Sequence, residues 1–485
     1  MSRNDRHHVP PDLIQLVQRQ LGFPPDLVIR TLQFWEGPPL QCMYLDTMAD
    51  ENAVDHYIQN MLSEGKLMEG APAEAEEHGY IRELPFSSFH GDWVRHLVDA
   101  MLEGQCVIVD TNNERVCFLN AVSPIDRQTE EPKSETIVRG PHEGFTENIQ
   151  ANISLVRKRL KNPCLRFEKM QIGKQTRTTV MLAYLENLAP DGLVQEARRR
   201  LKAIRTESVL ESAYIEEYVQ DRTWSPFATL TNTERPDVLA AQLLEGKIAI
   251  LIDGSPGALL APVTFWEFFN SPEDYYQRAD IATFIRWIRL ISFFTAVFVP
   301  SLYVAATTFH QELIPPRLLI SLSAQREGVP FPALFEVLLM EVVFEIIREA
   351  GLRMPRAIGQ ALSIVGAIVL GQAAVEAGLI SAAIVIVVSI TGITNFVVPV
   401  YSFGTTQRLL RFSFILLAGF MGLFGVLCGT LFLAAHLVTL KSFGVPYLTP
   451  ISPTRKHWWK DVLVRLPRPH LDQTGLGYLR KTKYK

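Results

Sequence analysis

Hydrophobic and polar positions divide the chain into two unlike parts. Up to about Tyr276, apolar residues recur at short, changing periods among charged ones, whereas from Leu290 to Val438 the chain is overwhelmingly apolar. In the first part, Leu13, Ile14, Val17 and Leu21 fall on one side of a helix over residues 11–21. Residues 27–34 and 41–45 read as strands around Gly37-Pro38-Pro39. Helices are predicted over 52–62, behind Asp50 as N-cap, and over 93–102. Residues 106–110 and 115–119 alternate on either side of Asn112-Asn113, a pair that tolerates positive φ, and so predict a hairpin. These elements make one α/β subdomain, residues 1–125. A charged, proline-containing linker leads to a second, residues 138–268. There a helix over 148–160 precedes strands 165–172 and 178–185, which turn at Gly173. Helices over 193–204 and 207–219 and strands 247–252 and 259–264 complete it.

The apolar part reads differently. Residues 269–289 form an amphipathic coupling segment in which Tyr275, Tyr276, Arg278, Arg286, Trp287 and Arg289 sit at an apolar boundary, as interface anchors do. Residues 290–309 reach the ~20 needed to span a bilayer. Residues 310–332 are polar and rich in proline, with an apolar piece at 318–322 that is too short to span and suits a surface or re-entrant position. Pro332 fits the first position of a helix over 333–347. Residues 358–377, 380–400 and 412–438 each have spanning length. The expected fold class is an α/β two-subdomain cytosolic region followed by an α-helical polytopic membrane domain, residues 290–440, with four to six segments. A basic tail, residues 441–485, follows. The first residues, MSRNDRHHVPPD, carry no apolar run of the secretory kind, which places the α/β region in the cytosol. Basic groups before Leu290, at 348–356 and at 408–411 mark cytosolic ends, and five crossings then put the C-terminus outside. The tail from Arg455 carries nine Lys/Arg against Asp461 and Asp472, which argues for inside. Both sides stay open.

Polar groups inside the apolar part direct attention to residues 329–389. Charge within a membrane segment costs at least ~2.5 kcal/mol per group and is rare unless it faces water or a partner. Glu341, Glu345 and Arg348 share one helix face, with Glu336 nearly opposite; together with Arg353 they are candidates for coupling or subunit contact. Over 358–377, a small-residue side of Ser363, Gly366, Ala367, Gly371 and Ala374 opposes a side of Val365, Val369, Gln372 and Glu376. That second side runs from apolar to amide to carboxylate, as the lining of a cation pore would. The simpler alternative is that Gln372 and Glu376 meet headgroup water near Gly378. Ala418, Gly422, Gly425 and Gly429 line one side of the last helix and suit close helix packing.

Composition narrows the functional classes. A net charge of −4, without a basic face interleaved with aromatics, gives no case for nucleic acid. Cys42, Cys106, Cys117, Cys164 and Cys428 are scattered, with neither CxxC nor zinc spacing, so free thiols and no metal are expected. No phosphate loop, catalytic triad or paired carboxylate emerges, so neither an enzyme nor a cofactor is expected; His142 beside Glu143 stands alone. Asp253-Gly254-Ser255 could hold an anion, but a hairpin turn explains it more simply. The basic runs Arg157-Lys158-Arg159 and 198–202 could bind anionic lipid or nucleotide, or be solvated helix faces.

Longer motifs carry a resemblance. They are residues 137–147 (IVRGPHEGFTE), Ser225-Pro226-Phe227 with 233–237 (TERPD), 244–256 (LEGKIAILIDGSP), 273–276 (EDYY), 329–332 (VPFP), 348–353 (REAGLR), 371–377 (GQAAVEA) and 442–447 (SFGVPY). In these the chain resembles the A subunits of the GerA family of spore germination proteins, over about Asp26 to Pro450. The resemblance implies a multi-pass protein of the spore inner membrane with its N-terminal region in the spore core. It implies partners: a transporter-like B subunit, a lipoprotein C subunit and further copies of the chain, a pentamer, whose membrane part forms a nutrient-gated cation channel. Ligand would bind mainly the B subunit. One family member instead accompanies dipicolinic-acid transport genes as an accessory protein, and the sequence does not separate the two. Two other classes compete. A secondary transporter would use Glu341, Glu345 and Glu376, but such proteins show internal repeats and none is found here. A scaffold would use its helices to bind partners and would conduct nothing.

Overall fold

The computed structural model describes residues 12–33, 39–64, 81–85, 93–110, 115–123, 131–132, 135–353, 371–452, 461–467 and 469–470. They form two compact units. The first takes the described residues up to Asp221 together with Leu230–Pro262; the second takes Arg222–Thr229 together with the described residues from Val263 on.

The first unit is α/β. Helix α1 (Leu13–Leu21) ends at Gly22, whose φ of 73° closes it in the left-handed region. Strands β1 (Leu27–Leu32) and β2 (Leu40–Leu45), helix α2 (Glu51–Glu64), strand β3 (Ile81–Pro85), helix α3 (Trp93–Leu102) and strands β4 (Gln105–Asp110) and β5 (Arg115–Asn120) follow. The strands pair antiparallel in the order β1-β2-β4-β5-β3. Period-two alternation sends Met43, Leu45, Val107 and Val109 toward α1 and α3, and Cys42, Tyr44, Cys106 and Ile108 toward α2. Both faces are covered, which is why β2 and β4 are buried almost throughout. The expected turn at Asn112-Asn113 lies outside the described residues.

A second antiparallel sheet follows α4 (Ile149–Arg159). It comprises β6 (Leu165–Ile172), β7 (Thr178–Leu185), β8 (Thr231–Thr233), β9 (Ile248–Ile252) and β10 (Ala258–Ala261), in the order β6-β7-β9-β10-β8. Helices α5 (Asp191–Ala203), α6 (Ser212–Val219) and α7 (Pro236–Leu244) connect them. The helix expected from residue 207 starts at Ser212 instead. Glu211 caps it, its carboxylate accepting from Ala213 N at 2.6 Å, while Glu207 O is bonded by Gln175 N at 2.8 Å. The three-residue β8 carries no apolar alternation and was not expected. Within this unit the sheets are tied by a buried ion pair. Arg157 Nε and Nη2 donate to Asp26 at 2.7 and 2.8 Å, and Thr47 Oγ1 donates to the same carboxylate at 2.6 Å. The run Arg157-Lys158-Arg159 is therefore not a uniform solvated basic face. Asp253 Oδ1 accepts from Ile149 N at 3.4 Å, at the start of α4, while Gly254 turns the chain with φ 83°.

The second unit is helical: α8 (Glu273–Tyr276), α9 (Ala279–Thr308), α10 (Pro316–Arg326), α11 (Ala333–Arg353), α12 (Gly371–Glu376), α13 (Ala382–Asn395) and α14 (Tyr401–Thr439). Of the described helices, α9 and α14 are long and apolar enough to cross a membrane. The sequence reading of one crossing at 412–438 is corrected. At Gly422, φ 59° and ψ −143° are non-helical values that favour glycine, and α14 breaks there. A Cβ on Gly425 would lie 2.3 Å from Leu417 O, and one on Gly429 would lie 2.9 Å from Phe414. In a straight helix positions 414 and 429 stand about 22 Å apart, at 1.5 Å per residue. Helix α14 is therefore a hairpin with arms 401–421 and 423–439.

Contacts fix the run of each helix. Call the end where Phe265, Phe403 and Tyr447 gather the foot, and the end where Gly422 meets Phe309 and His310 the head. Helix α9 runs from foot to head. Helix α11 runs back, from Leu334 beside Gly419 to Glu345 beside Arg411. Helix α13 runs parallel to α11, with Ser381 N on Glu336 at 3.1 Å and Gly392 against Phe344. At 14 residues, ending before Pro399, it is shorter than the 380–400 span expected. The first arm of α14 runs to the head and the second returns. Residues 354–370, between α11 and α12, lie outside the described set.

Candidate functional site

Helix α11 carries carboxylates into the interior because the neighbouring helices answer them. Glu336 is fully buried, 3.3 Å from Arg326 Nε. Glu341 is fully buried, with Arg411 Nη2 at 3.1 Å and Thr391 Oγ1 donating at 3.4 Å. Glu345 bonds Arg348, one turn on, and faces Arg408 at 3.2 Å and Arg411 at 3.3 Å. Arg353 pairs with Glu349 at 2.7 Å on an exposed face. The structure thus brings Glu341, Glu345 and Arg348 together on Arg408 and Arg411. Sequence reasoning placed those two arginines in a basic cytosolic loop. They instead sit inside the first arm of α14, buried, because two carboxylates of α11 offset their desolvation. Gln407, 1% exposed and one turn from Arg411, finds no partner for either amide atom among the described residues.

Of the pore-lining candidates, Val365 and Val369 lie outside the described residues. Gln372 and Glu376 are described on α12, exposed, with Gln372 Nε2 donating to Glu376 at 2.8 Å. Gly422 is the hairpin turn itself, and Gly425 and Gly429 lie against the facing arm. Gly392, under Phe344, and Gly419, under Leu334, are close-approach positions that the sequence reading passed over; their glycines inside apolar runs were the available signal.

The foot is built from aromatic rings and a buried charge cluster. Phe403 stacks on Phe268 and Phe293, with centroids at 4.7 and 4.9 Å, and meets Phe265 and Phe269 edge-on. Below them Arg286 donates to Asp274 at 2.9 Å and to Asp461 at 2.9 Å, while Arg289 bonds Asp274 and Phe269 O. Tyr275 OH donates to Asp461 at 2.6 Å. Burial pushes the Asp461 carboxyl above its ordinary range against the pull of Arg286. Arg286 and Arg289, expected at a membrane surface, are 3% and 6% exposed, because carboxylates from α8 and from the tail enclose them. What the site can do is tie helices to one another through buried ion pairs.

A family described as Bacillus/Clostridium GerA spore germination protein matches residues 15–474. The chain is 41% identical over 454 residues to spore germination protein KA of Bacillus subtilis (strain 168), covering 93% of this chain and 83% of that one. It is 46% identical over 444 residues to the uncharacterized membrane protein YfkQ of the same organism, covering 91% and 86%. It is 39% identical over 465 residues to spore germination protein GerLA of Bacillus cereus, covering 95% and 94%. Among solved structures, the N-terminal domain of the A subunit of the Bacillus megaterium spore germinant receptor GerK3 matches at 30% identity and a TM-score of 0.39, covering 52% of this chain and 94% of that one.

Proposed function

The chain belongs to the GerA family of spore germination proteins, and from that membership we propose that it is the membrane-embedded A subunit of a spore germination receptor. The observation that carries this reading is the extent of the family match, which covers both the α/β and the helical unit. In the proposed assembly, copies of the chain associate, as a pentamer, with a transporter-like B subunit and a lipoprotein C subunit in the spore inner membrane. Nutrient captured by a partner shifts the copies from a closed to an open state. It does so by favouring the open one energetically.

The proposed cation path runs along residues 365–376. Glu341 and Glu345 are engaged by arginines of the same chain, which weighs against their serving as transport carboxylates. Gln372 and Glu376 remain exposed and face outward from α12 as an amide-to-carboxylate step. Val365 and Val369 are the proposed constriction before it. Potassium release from spores tests the assignment. Val369→Ala is expected to leak or to germinate without nutrient, and Glu376→Gln to slow release several-fold. Unchanged release in both variants would remove the pore from this segment.

A further inference from the structure

The helical unit contains a piece of chain that its sequence neighbours do not join. Arg222–Thr229 packs with the helices, although Asp221 before it and Leu230 after it belong to the α/β unit. The finger is held by several elements at once. Thr406, in the first arm of α14, donates to Pro226 O. Tyr447 OH donates to Ala228 O at 2.9 Å, and Ser442 Oγ to Thr229 O at 2.6 Å. Ser225 Oγ lies 2.9 Å from His436 Nε2, at the end of the second arm. Phe227, 2% exposed, sits among Phe265, Phe403, His436 and Tyr447, with centroids at 6.1 to 6.3 Å. The finger therefore grips the foot of both arms of the hairpin.

We propose that this finger transmits movement of the α/β unit to the α14 hairpin, with Phe227 as its positioning residue. The proposal rests on the reading of the chain as a germination receptor subunit. Its physical basis is that the excursion is closed. A single linker, such as the passage at Pro262–Val263, can absorb a displacement by rotation about a few dihedral angles. A short loop whose two ends are both held in the α/β unit cannot do so, and a shift there carries the finger as a body. Because the finger is bonded to both arms, it displaces the base of the hairpin rather than one helix.

Two measurements test this. In the purified full chain, hydrogen exchange is followed at the foot ends of the arms, residues 401–408 and 433–439, and at β9. Phe227→Ala is expected to speed exchange at both arm ends by roughly tenfold or more and to leave β9 unchanged. Phe227→Leu, which keeps most of the volume, should stay near the parent protein. In spores with normal receptor abundance, Phe227→Ala should abolish the nutrient response, and adding Val369→Ala should restore germination without nutrient. Unchanged exchange at both arm ends overturns the proposal, as does loosening that spreads equally into β9. A Val369→Ala variant that is silent by itself counts against the pore assignment alone, and the exchange result still decides the finger.

Discussion

Among single residues, Arg411 and Glu135 lead to distinct expectations. Arg411 is 1% exposed and answers both Glu341 and Glu345. Removing one partner of a buried pair leaves the other charge uncompensated, which costs ~3–5 kcal/mol, whereas replacing both by apolar side chains is often neutral. Arg411→Leu should therefore lower the thermal midpoint of the purified protein sharply, and Glu341→Met together with Arg411→Leu should recover part of the loss. A double variant no better than the single one would show that Arg411 acts mainly through Glu345. Glu135, half-buried, accepts from Thr233 Oγ1 at 2.7 Å, and desolvation pushes its carboxyl from 4.5 up to about 7. The folded chain then holds this proton more tightly than the unfolded chain does. The stability it contributes is complete below about pH 4.5 and declines as pH rises through about 7. Glu135→Gln should flatten that decline, as read by exchange at β8 between pH 5 and 8; an unchanged slope would assign it to other groups.

Elements differ in how far the chain announces them. Strands such as β2 and β4 were legible as short apolar runs beside turn residues, and they are apolar nearly throughout because each face of the sheet is covered by its own helices. Strand β8 was not, since Thr231–Thr233 offers three polar or small residues to a sheet edge. The hairpin in α14 was hidden for another reason. Its turn is a single glycine inside an unbroken apolar run, and hydropathy does not register a change of direction. The same run concealed Arg408 and Arg411, because a charge flanked by apolar residues reads as a boundary until its partner in α11 is known. Of the candidate site, the α11 carboxylates were legible from charge alone, but the α14 arginines that answer Glu341 and Glu345 lie more than 60 positions away and no local spacing links them. The turn itself is testable. A Cβ on Gly422 would lie 2.9 Å from the His310 ring, at backbone angles that L-residues rarely adopt, a strain of ~1–3 kcal/mol before any clash. Gly422→Ala should reduce folded protein in the membrane, and a cysteine pair at Phe414 and Gly429 should cross-link in the parent but not in the variant. Efficient cross-linking in both would mean that the hairpin does not depend on this glycine.

For the helical unit as a whole, the hairpin bears on a question the charges alone could not decide. Counting 412–438 as one crossing put the C-terminus opposite the other basic ends, against the basic character of the tail itself. With two arms, the chain returns to the foot, and residues 461–467 are found there. Asp461 bonds Arg286 and Tyr275, and Arg465 N bonds Thr283 Oγ1 at 3.1 Å. The described tail residues 461–467 and the start of α9 therefore lie at the same end of the helical unit. In oriented membranes, with the native cysteines replaced, Trp224→Cys and His470→Cys should react with an impermeant maleimide from one side, and Met421→Cys from the other. Labelling of positions 224 and 470 from opposite sides would rule out the return of the second arm. The cluster also makes the tail more than a passenger. Without the Asp461 charge, the buried guanidiniums of Arg286 and Arg289 share, among the described residues, the one carboxylate of Asp274. Asp461→Asn should therefore expose the tail to protease and loosen the base of α9, so that one substitution in the tail is felt at the start of the first long apolar helix.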